Sequence, residues 1–187
     1  PPRLVVVTPS HQFPSGAVMS LARRLELLDA AAKQRCWVIE DDYDGEFRYD
    51  AHPLAALKSL DRHSRVIYIG SFSKTLFPSL RLGYMVLPPG LRQAFVAAKW
   101  FCDRGCPAIE QGALCRFMQD GGFERHLRDA AKTLKQRRNA MLAGLRRYCG
   151  RHVEVADSHA GMHLVAWLPG LDEARLERQQ HAGFHRR

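Results

Sequence analysis

The sequence predicts an α/β protein with a mostly parallel sheet. Three short runs of apolar and largely β-branched residues, Leu4–Thr8, Cys36–Glu40 and Val66–Ile69, are typical of strands buried on both faces. A helical pattern over Ala17–Lys33 separates the first two runs, and strand–helix–strand order gives parallel neighbours. A fourth run, Leu82–Leu87, follows the third after a connection too short for a helical crossover. We therefore predict that this fourth strand is antiparallel.

The helix predicted over Ala17–Lys33 is amphipathic. Its leucines recur on one side, which should face the sheet, and its charged residues mark the other side. The leucines are Leu21, Leu25 and Leu28, and the charged residues are Arg23, Arg24 and Glu26. Three further helices are predicted after the sheet, over Leu91–Asp103, Pro107–Gln119 and Phe123–Tyr148.

The bulk properties fit one soluble globular domain with a sizeable core. The chain has 187 residues, 46% hydrophobic and 25% charged, and a net charge of +9. The basic residues concentrate over 125–151 and in the tail, in a helical pattern that favours a solvated helix face over a DNA-reading surface. No apolar run is long enough to cross a membrane and no signal-peptide layout is present, so we expect a cytoplasmic protein. The five cysteines form no metal motif, and we expect reduced thiols and no metal site.

Polar residues follow each of the three strands predicted to be parallel. They occupy Thr8–Gln12, Asp41–Asp44 and Ser71–Lys74. The carboxyl ends of parallel strands meet at one edge of a sheet, where ligands bind in open α/β folds. The sequence therefore predicts a ligand site built from these three segments.

The segment after the third strand carries groups suited to an aldehyde that also bears a phosphate. Lys74 lies close to the end of a buried strand, where desolvation favours the neutral amine that attacks an aldehyde. Ser71, Ser73 and Arg81 offer two hydroxyl donors and a planar guanidinium for a phosphate. A small molecule with both groups is pyridoxal 5'-phosphate (PLP). The alternative is a surface loop with an ordinary lysine.

This stretch resembles the cofactor-lysine segment of a known family. Ser-Phe-Ser-Lys-Thr-Leu at 71–76, followed by Pro-Ser-Leu-Arg-Leu-Gly-Tyr at 78–84, is similar to fold-type I PLP-dependent enzymes. It is most similar to the aminotransferase-like domain of GntR/MocR-type transcriptional regulators. The resemblance implies that Lys74 forms a Schiff base with PLP, and that Ser71, Ser73 and Arg81 contact its phosphate.

The resemblance extends to the acidic segment after the second strand. Asp-Asp-Tyr-Asp at 41–44 matches the family pattern, which implies that Asp41 pairs with the pyridine nitrogen and Tyr43 with the ring hydroxyl. Spacing alone does not choose among Asp41, Asp42 and Asp44. In the loop after the first strand, Phe13 stands where many aminotransferases have an asparagine, as in the regulator branch. His11 of that loop either approaches the cofactor or is a loop histidine bonded to backbone.

The resemblance also implies a domain arrangement and a function. Residues 1–122 are expected to be part of a PLP-binding large domain, 123–150 a linking helix, and 151–187 the start of a small α+β domain. The chain is thus expected to be a fragment of a regulator that senses a small amino compound, dimerises, and binds DNA through a separate N-terminal domain. The alternatives are a metabolic class I/II aminotransferase, which exchanges an amino group between an amino acid and a 2-oxo acid, and an inactive fragment. His126 and His163 have no partner that the sequence identifies.

Overall fold

The computed structural model describes residues 2–49, 55–156 and 160–170, and its main sheet has the predicted topology. Four strands lie in the order β1-β2-β3-β4. The first three are parallel and β4 is antiparallel to β3, so the predicted strand directions are confirmed. The strands are β1 Leu4–Val7, β2 Trp37–Asp42, β3 Val66–Ser71 and β4 Gly83–Val86.

Six α-helices surround or follow this sheet in the described residues. They are α1 Leu21–Gln34, α2 Leu57–Leu60, α3 Phe72–Thr75, α4 Arg92–Asp103, α5 Ala108–Gln119 and α6 Gly122–Cys149. Helix α1 begins later than predicted, because Ser20 caps it by accepting a hydrogen bond from the amide of Arg23. No helix in the described ranges is long and apolar enough to cross a membrane.

The main hydrophobic cluster lies on one face of the sheet. Side chains alternate along each strand, so one face carries Val38 and Val66, both fully buried under α1 and α2. The opposite face carries Val6 and Met85, which are 63% and 47% exposed. Within the described residues, that second face is therefore only partly covered.

The predicted division of α1 into an apolar side and a charged side holds for Leu28 but not for Leu21, Leu25 and Arg24. Leu21 and Leu25 are about half exposed, whereas Arg24 is fully buried. The Arg24 guanidinium donates to the carbonyl oxygens of Pro9, Met19 and Ala55 at 2.7, 2.9 and 3.1 Å. The helix thus turns a charged residue inward to bind three loop carbonyls, while Leu28 and Ala31 reach the core. Its apolar periodicity alone did not reveal this.

A second, two-stranded antiparallel sheet follows α6. It pairs β5 Glu154–Val155 with β6 Ala166–Trp167. The strand predicted over Met162–Leu168 is shorter than expected, because residues before it contact the first half of the chain instead: the amide of Met162 donates to Asp44. The part of the predicted small domain at 171–187 lies outside the described residues.

Candidate functional site

Lys74 lies on a single helical turn that follows β3 directly. Ser71, the last residue of β3, caps α3 because its hydroxyl oxygen accepts a hydrogen bond from the amide of Ser73 at 3.2 Å. Lys74 is the third residue of this turn, and its side chain is exposed. The expectation of low-dielectric surroundings for Lys74 is therefore wrong for the described part of the chain, because the turn projects from the end of the sheet.

The three predicted phosphate ligands line one open cavity. Ser71, Ser73 and Arg81 all border a space of about 590 Å³ at the carboxyl end of β3. Arg81 follows a short 3-10 turn and has a left-handed backbone with φ 51°, an uncommon conformation for a residue with a side chain. Lys99 of α4 borders the same cavity and pairs with Asp103. The cavity thus has a cationic and hydroxyl-rich wall.

Lys74 borders a neighbouring cavity rather than this one. That space, of about 380 Å³, lies between the Lys74 turn and α6, and Thr75, His126 and Met162 also line it. Asp41 lines neither cavity. The predicted single cleft for Asp41, Lys74 and Arg81 therefore appears as separate depressions along one edge of the sheet.

Asp41 nevertheless faces the same side of the sheet as Ser71. In the β2–β3 register Asp41 pairs with Ile69, and Ser71 lies two residues further along β3, so all three side chains share a face. The Asp41 side chain is half-buried. Desolvation, and then the charge of Asp42, raises the pKa of its carboxyl. A cation beside Asp41 would relieve both effects.

The other two candidate acids have partners in the structure. Asp42 accepts hydrogen bonds from the Tyr68 hydroxyl at 2.9 Å and the Gly45 amide at 3.1 Å, on the opposite face of the sheet. Asp44 is buried and contacts His11. Within the described residues the Asp41 carboxylate has no hydrogen-bond partner, which favours Asp41 among the three acids left open by spacing.

Tyr43 is close to the first loop. Its hydroxyl donates to the backbone oxygen of His11 at 2.8 Å. Burial, followed by the charges of the nearby carboxylates, raises the pKa of Tyr43 to about 12. The phenol is protonated near neutral pH, and its hydrogen forms the bond to the His11 backbone oxygen.

His11 belongs to a buried cluster beside Tyr43. Its Nδ1 lies 2.9 Å from Asp44 Oδ2, and its ring stacks on His163 with 4.1 Å between centroids. These three side chains have donor types found in metal sites, with ligand atoms within 4.8 Å of one another. The backbone of Gly161 packs directly against the His11–Asp44 pair, since an added Cβ there would lie 1.8 Å from His11 Nδ1. The cluster thus joins residues 160–163 to the loops after β1 and β2.

Two histidines for which the sequence suggested no partner have one in the structure. His163 contacts His11 and Phe13. His126 Nε2 lies 2.8 Å from the backbone oxygen of Thr75, the residue after Lys74. No sequence pattern signals either contact, because the partners are 152 and 51 positions away and one of them is a backbone group.

The sheet topology is shared with a known class of proteins. A mostly parallel sheet with an antiparallel fourth strand is the architecture of the fold-type I PLP-dependent aminotransferases that this chain superimposes on. The chain belongs to the aminotransferase class I and II family, whose model matches residues 1–180.

Similar proteins include both regulators and enzymes. The chain is 39% identical over 178 residues to an uncharacterised HTH-type transcriptional regulator, YhdI, of Bacillus subtilis, covering 94% of this chain and 38% of that protein. It is 40% identical over 165 residues to the probable rhizopine catabolism regulatory protein MocR of Rhizobium meliloti. That match covers 88% of this chain and 34% of that protein. The resemblance to MocR-type regulators is thereby confirmed. The chain spans less than half the length of these relatives.

Among solved structures, the chain superimposes on kynurenine aminotransferase of Pyrococcus horikoshii. That match has a TM-score of 0.87 and 36% identity, and covers 96% of this chain and 45% of the enzyme. The enzyme was solved in complex with PMP. The predicted fold class is therefore confirmed.

Proposed function

We propose that the chain is the PLP-binding, aminotransferase-like effector domain of a GntR/MocR-type transcriptional regulator, with the cofactor held as a Schiff base on Lys74. The proposal is carried by one observation: Ser71, Ser73 and Arg81 border one cavity at the end of the strand that leads directly to Lys74. The regulators among the relatives support the effector role.

The residues of this edge fit the chemical groups of PLP. The Arg81 guanidinium and the two serine hydroxyls are donors that suit a phosphate, and the half-buried Asp41 carboxylate suits a protonated ring nitrogen. The Tyr43 hydroxyl would donate to a ring oxygen by exchanging its hydrogen bond to the His11 backbone oxygen. When bound, PLP supplies an electron sink for chemistry at the carbon that bears an amino group.

The role of Lys74 is to bind the cofactor covalently. Its amine, in the neutral form, would be the nucleophile toward the aldehyde group of PLP. Asp41 balances the positive charge of the ring nitrogen, and Arg81 balances the phosphate. In the proposal the ligand is a small amino compound, two subunits form a homodimer, and DNA contacts belong to a separate HTH domain, as the names of the relatives suggest.

Borohydride trapping tests the proposal. The chain is incubated with PLP, reduced, digested and mapped by mass spectrometry. We expect the phosphopyridoxyl group on Lys74, and we expect its loss in Lys74→Ala. Lys99→Ala is the matched control, because Lys99 borders the cavity of Ser71 and Arg81 and is also exposed. Label on Lys99 instead of Lys74 would overturn the assignment.

Arg81→Ala separates cofactor binding from the covalent step. The loss of a charged hydrogen bond should raise the PLP concentration for half-maximal labelling roughly 10- to 100-fold, while the label stays on Lys74. Absence of any label in the wild-type chain, and in the protein expressed from its complete reading frame, would favour an inactive fragment.

A second candidate function is a metabolic aminotransferase. It is favoured by the 36% identity to the kynurenine aminotransferase and by 32% identity to aromatic-amino-acid aminotransferase 1 of Thermococcus litoralis. Incubation of the PLP-loaded protein with an amino acid and a 2-oxo acid distinguishes the two functions. Catalytic turnover supports the enzyme, whereas a spectral response to the amine without turnover supports the effector domain.

A further inference from the structure

The turn that carries Lys74 is attached to helix α6 by a hydrogen bond. His126 Nε2, on the second turn of α6, lies 2.8 Å from the backbone oxygen of Thr75. A carbonyl oxygen only accepts hydrogen bonds, so His126 Nε2 carries the proton and is the donor. The bond joins positions 51 residues apart in the sequence.

The Lys74 turn depends on such contacts for its order. Helix α3 has only four residues, and a single isolated turn is unstable because nucleation costs more than one hydrogen bond returns. Its final carbonyl groups have no partner within the helix, and Thr75 is buried. An unpaired carbonyl there would be destabilising, and the His126 imidazole supplies its hydrogen bond.

A second contact attaches the other end of the same turn to α6. The rings of Phe72 and Phe123 meet edge to face, with 5.9 Å between centroids. Phe123 and His126 are three residues apart and thus lie on one side of α6. Lys74 is therefore carried by a turn whose first residue packs on Phe123 and whose last residue accepts a hydrogen bond from His126.

From these contacts we infer that His126 is a positioning residue for Lys74. It borders the same cavity as Lys74 and acts through the Thr75 carbonyl, which fixes the backbone that presents the lysine amine. The inference rests on the proposed function, since it assigns His126 to the covalent attachment of PLP.

The test uses two substitutions of the same length that differ in hydrogen bonding. His126→Gln keeps an N–H donor on an unbranched side chain, and His126→Met removes the donor. Both residues are good helix formers, so α6 should persist in each variant. His152→Met is the matched control, because His152 is exposed beyond the far end of α6.

Two readouts report the order of the turn and the reactivity of Lys74. Hydrogen exchange at the amide of Leu76, which donates to Phe72 across the turn, should be roughly three- to tenfold faster in His126→Met. The rate of borohydride-trapped PLP labelling at Lys74 should fall by a similar factor, and the pH dependence of the absorbance of the bound cofactor should shift. His126→Gln should retain most of the wild-type behaviour, and His152→Met all of it.

The outcomes separate this inference from the proposed function. Normal wild-type labelling of Lys74 with no difference in His126→Met would overturn the inference and leave the proposed function intact. Slow labelling in both His126 variants would point to lost packing and would also overturn it. If wild-type Lys74 takes no label, the proposed function fails and the inference fails with it. Faster Leu76 exchange and slower labelling in His126→Met, both restored in His126→Gln, would support it.

Discussion

Arg24 is fully buried, and its guanidinium binds three backbone carbonyl oxygens instead of a carboxylate side chain. Such a residue holds the loop after β1 on α1, since one of the acceptors is Pro9. The same loop also contains His11, whose backbone oxygen accepts a hydrogen bond from the Tyr43 hydroxyl. A charged residue on the first helix thereby contributes to the position of a candidate cofactor residue.

Replacement of Arg24 should be strongly destabilising. Arg24→Met keeps the volume of the stem but leaves the carbonyls of Pro9, Met19 and Ala55 without this donor, at a cost of roughly 2–4 kcal/mol in the free energy of unfolding. Arg23→Met, at an exposed neighbouring position, should change that free energy by about 0.5 kcal/mol or less. Urea unfolding of both variants measures the difference, and equal midpoints would contradict the structural role of Arg24.

Asp41 should show opposite effects on stability and on cofactor binding. Its folded-state pKa is raised by desolvation and by Asp42, so its contribution to stability is present at low pH and lost as the pH rises through the folded pKa. Asp41→Asn should therefore be more stable than the wild type at pH 7 in the absence of PLP, and the difference should shrink as the pH falls through the raised folded pKa and vanish below the ordinary aspartate pKa. PLP binding should weaken in the same variant.

Unfolding curves across the acid range and a PLP titration at pH 7 check the Asp41 prediction. Asp120→Asn is the control, because this exposed acid makes only a long i,i+4 contact of 3.9 Å with Arg116. A loss of stability at pH 7 in Asp41→Asn would contradict the prediction, because it would mean that the carboxylate is stabilised by the folded chain.

At the scale of elements, the apolar strands were predictable from the sequence. The contacts of helix side chains with the backbone of distant loops were not. Val38 and Val66 lie in continuous apolar runs, and such runs indicate strands regardless of distant contacts. The inward orientation of Arg24 depends on three carbonyls in other segments, and helical periodicity contains no information about them. For the same reason the sequence indicated Lys74 by its motif but missed His126, whose partner is the backbone of Thr75.

The contact of residues 160–163 with the His11–Asp44 pair gives a prediction at the scale of elements. Gly161 has φ 76°, and an added Cβ would lie 1.8 Å from His11 Nδ1 and 2.6 Å from Asp44 Oδ2. Gly170 has a similar φ of 78° but open space around it. Gly170→Ala should lower the free energy of unfolding by about 1 kcal/mol, because of the backbone conformation alone. Gly161→Ala should lower it clearly more, because the His11–Asp44 pair must also separate.

Thermal or urea unfolding compares the stability of the two alanine variants. Hydrogen exchange at the Met162 amide measures the contact between residues 160–163 and Asp44. The Met162 amide donates to Asp44 at 3.2 Å, so Gly161→Ala should accelerate its exchange whereas Gly170→Ala should not. Equal effects of the two substitutions would mean that residues 160–163 do not depend on close packing against the His11–Asp44 pair.

For the whole molecule, the half-covered sheet gives a prediction about behaviour in solution. Val6 is 63% exposed and Met85 47% exposed on the face opposite the core, next to the outer edges of β1 and β4. Apolar surface of this kind favours association. We expect the chain to be oligomeric or poorly soluble when expressed alone.

Light scattering after size-exclusion chromatography tests this expectation over a range of concentrations. Val6→Glu should lower the apparent mass at a given concentration, because it places a charge on the exposed face without touching the core. His63→Glu adds the same charge on an exposed loop and should leave the mass unchanged. A wild-type chain that stays monomeric and stable at high concentration would contradict the prediction.

Because α6 is long, a small tilt at the His126 contact would move its far end by a larger distance. The helix has 28 residues, hence about 42 Å, with the lysine turn at its beginning and β5 shortly beyond its end. A tilt of about 5° at His126 would displace the far end, about 35 Å away, by roughly 3 Å. If the arrival of an amine at Lys74 tilted α6 about His126, the displacement would be larger at β5 than at the lysine turn.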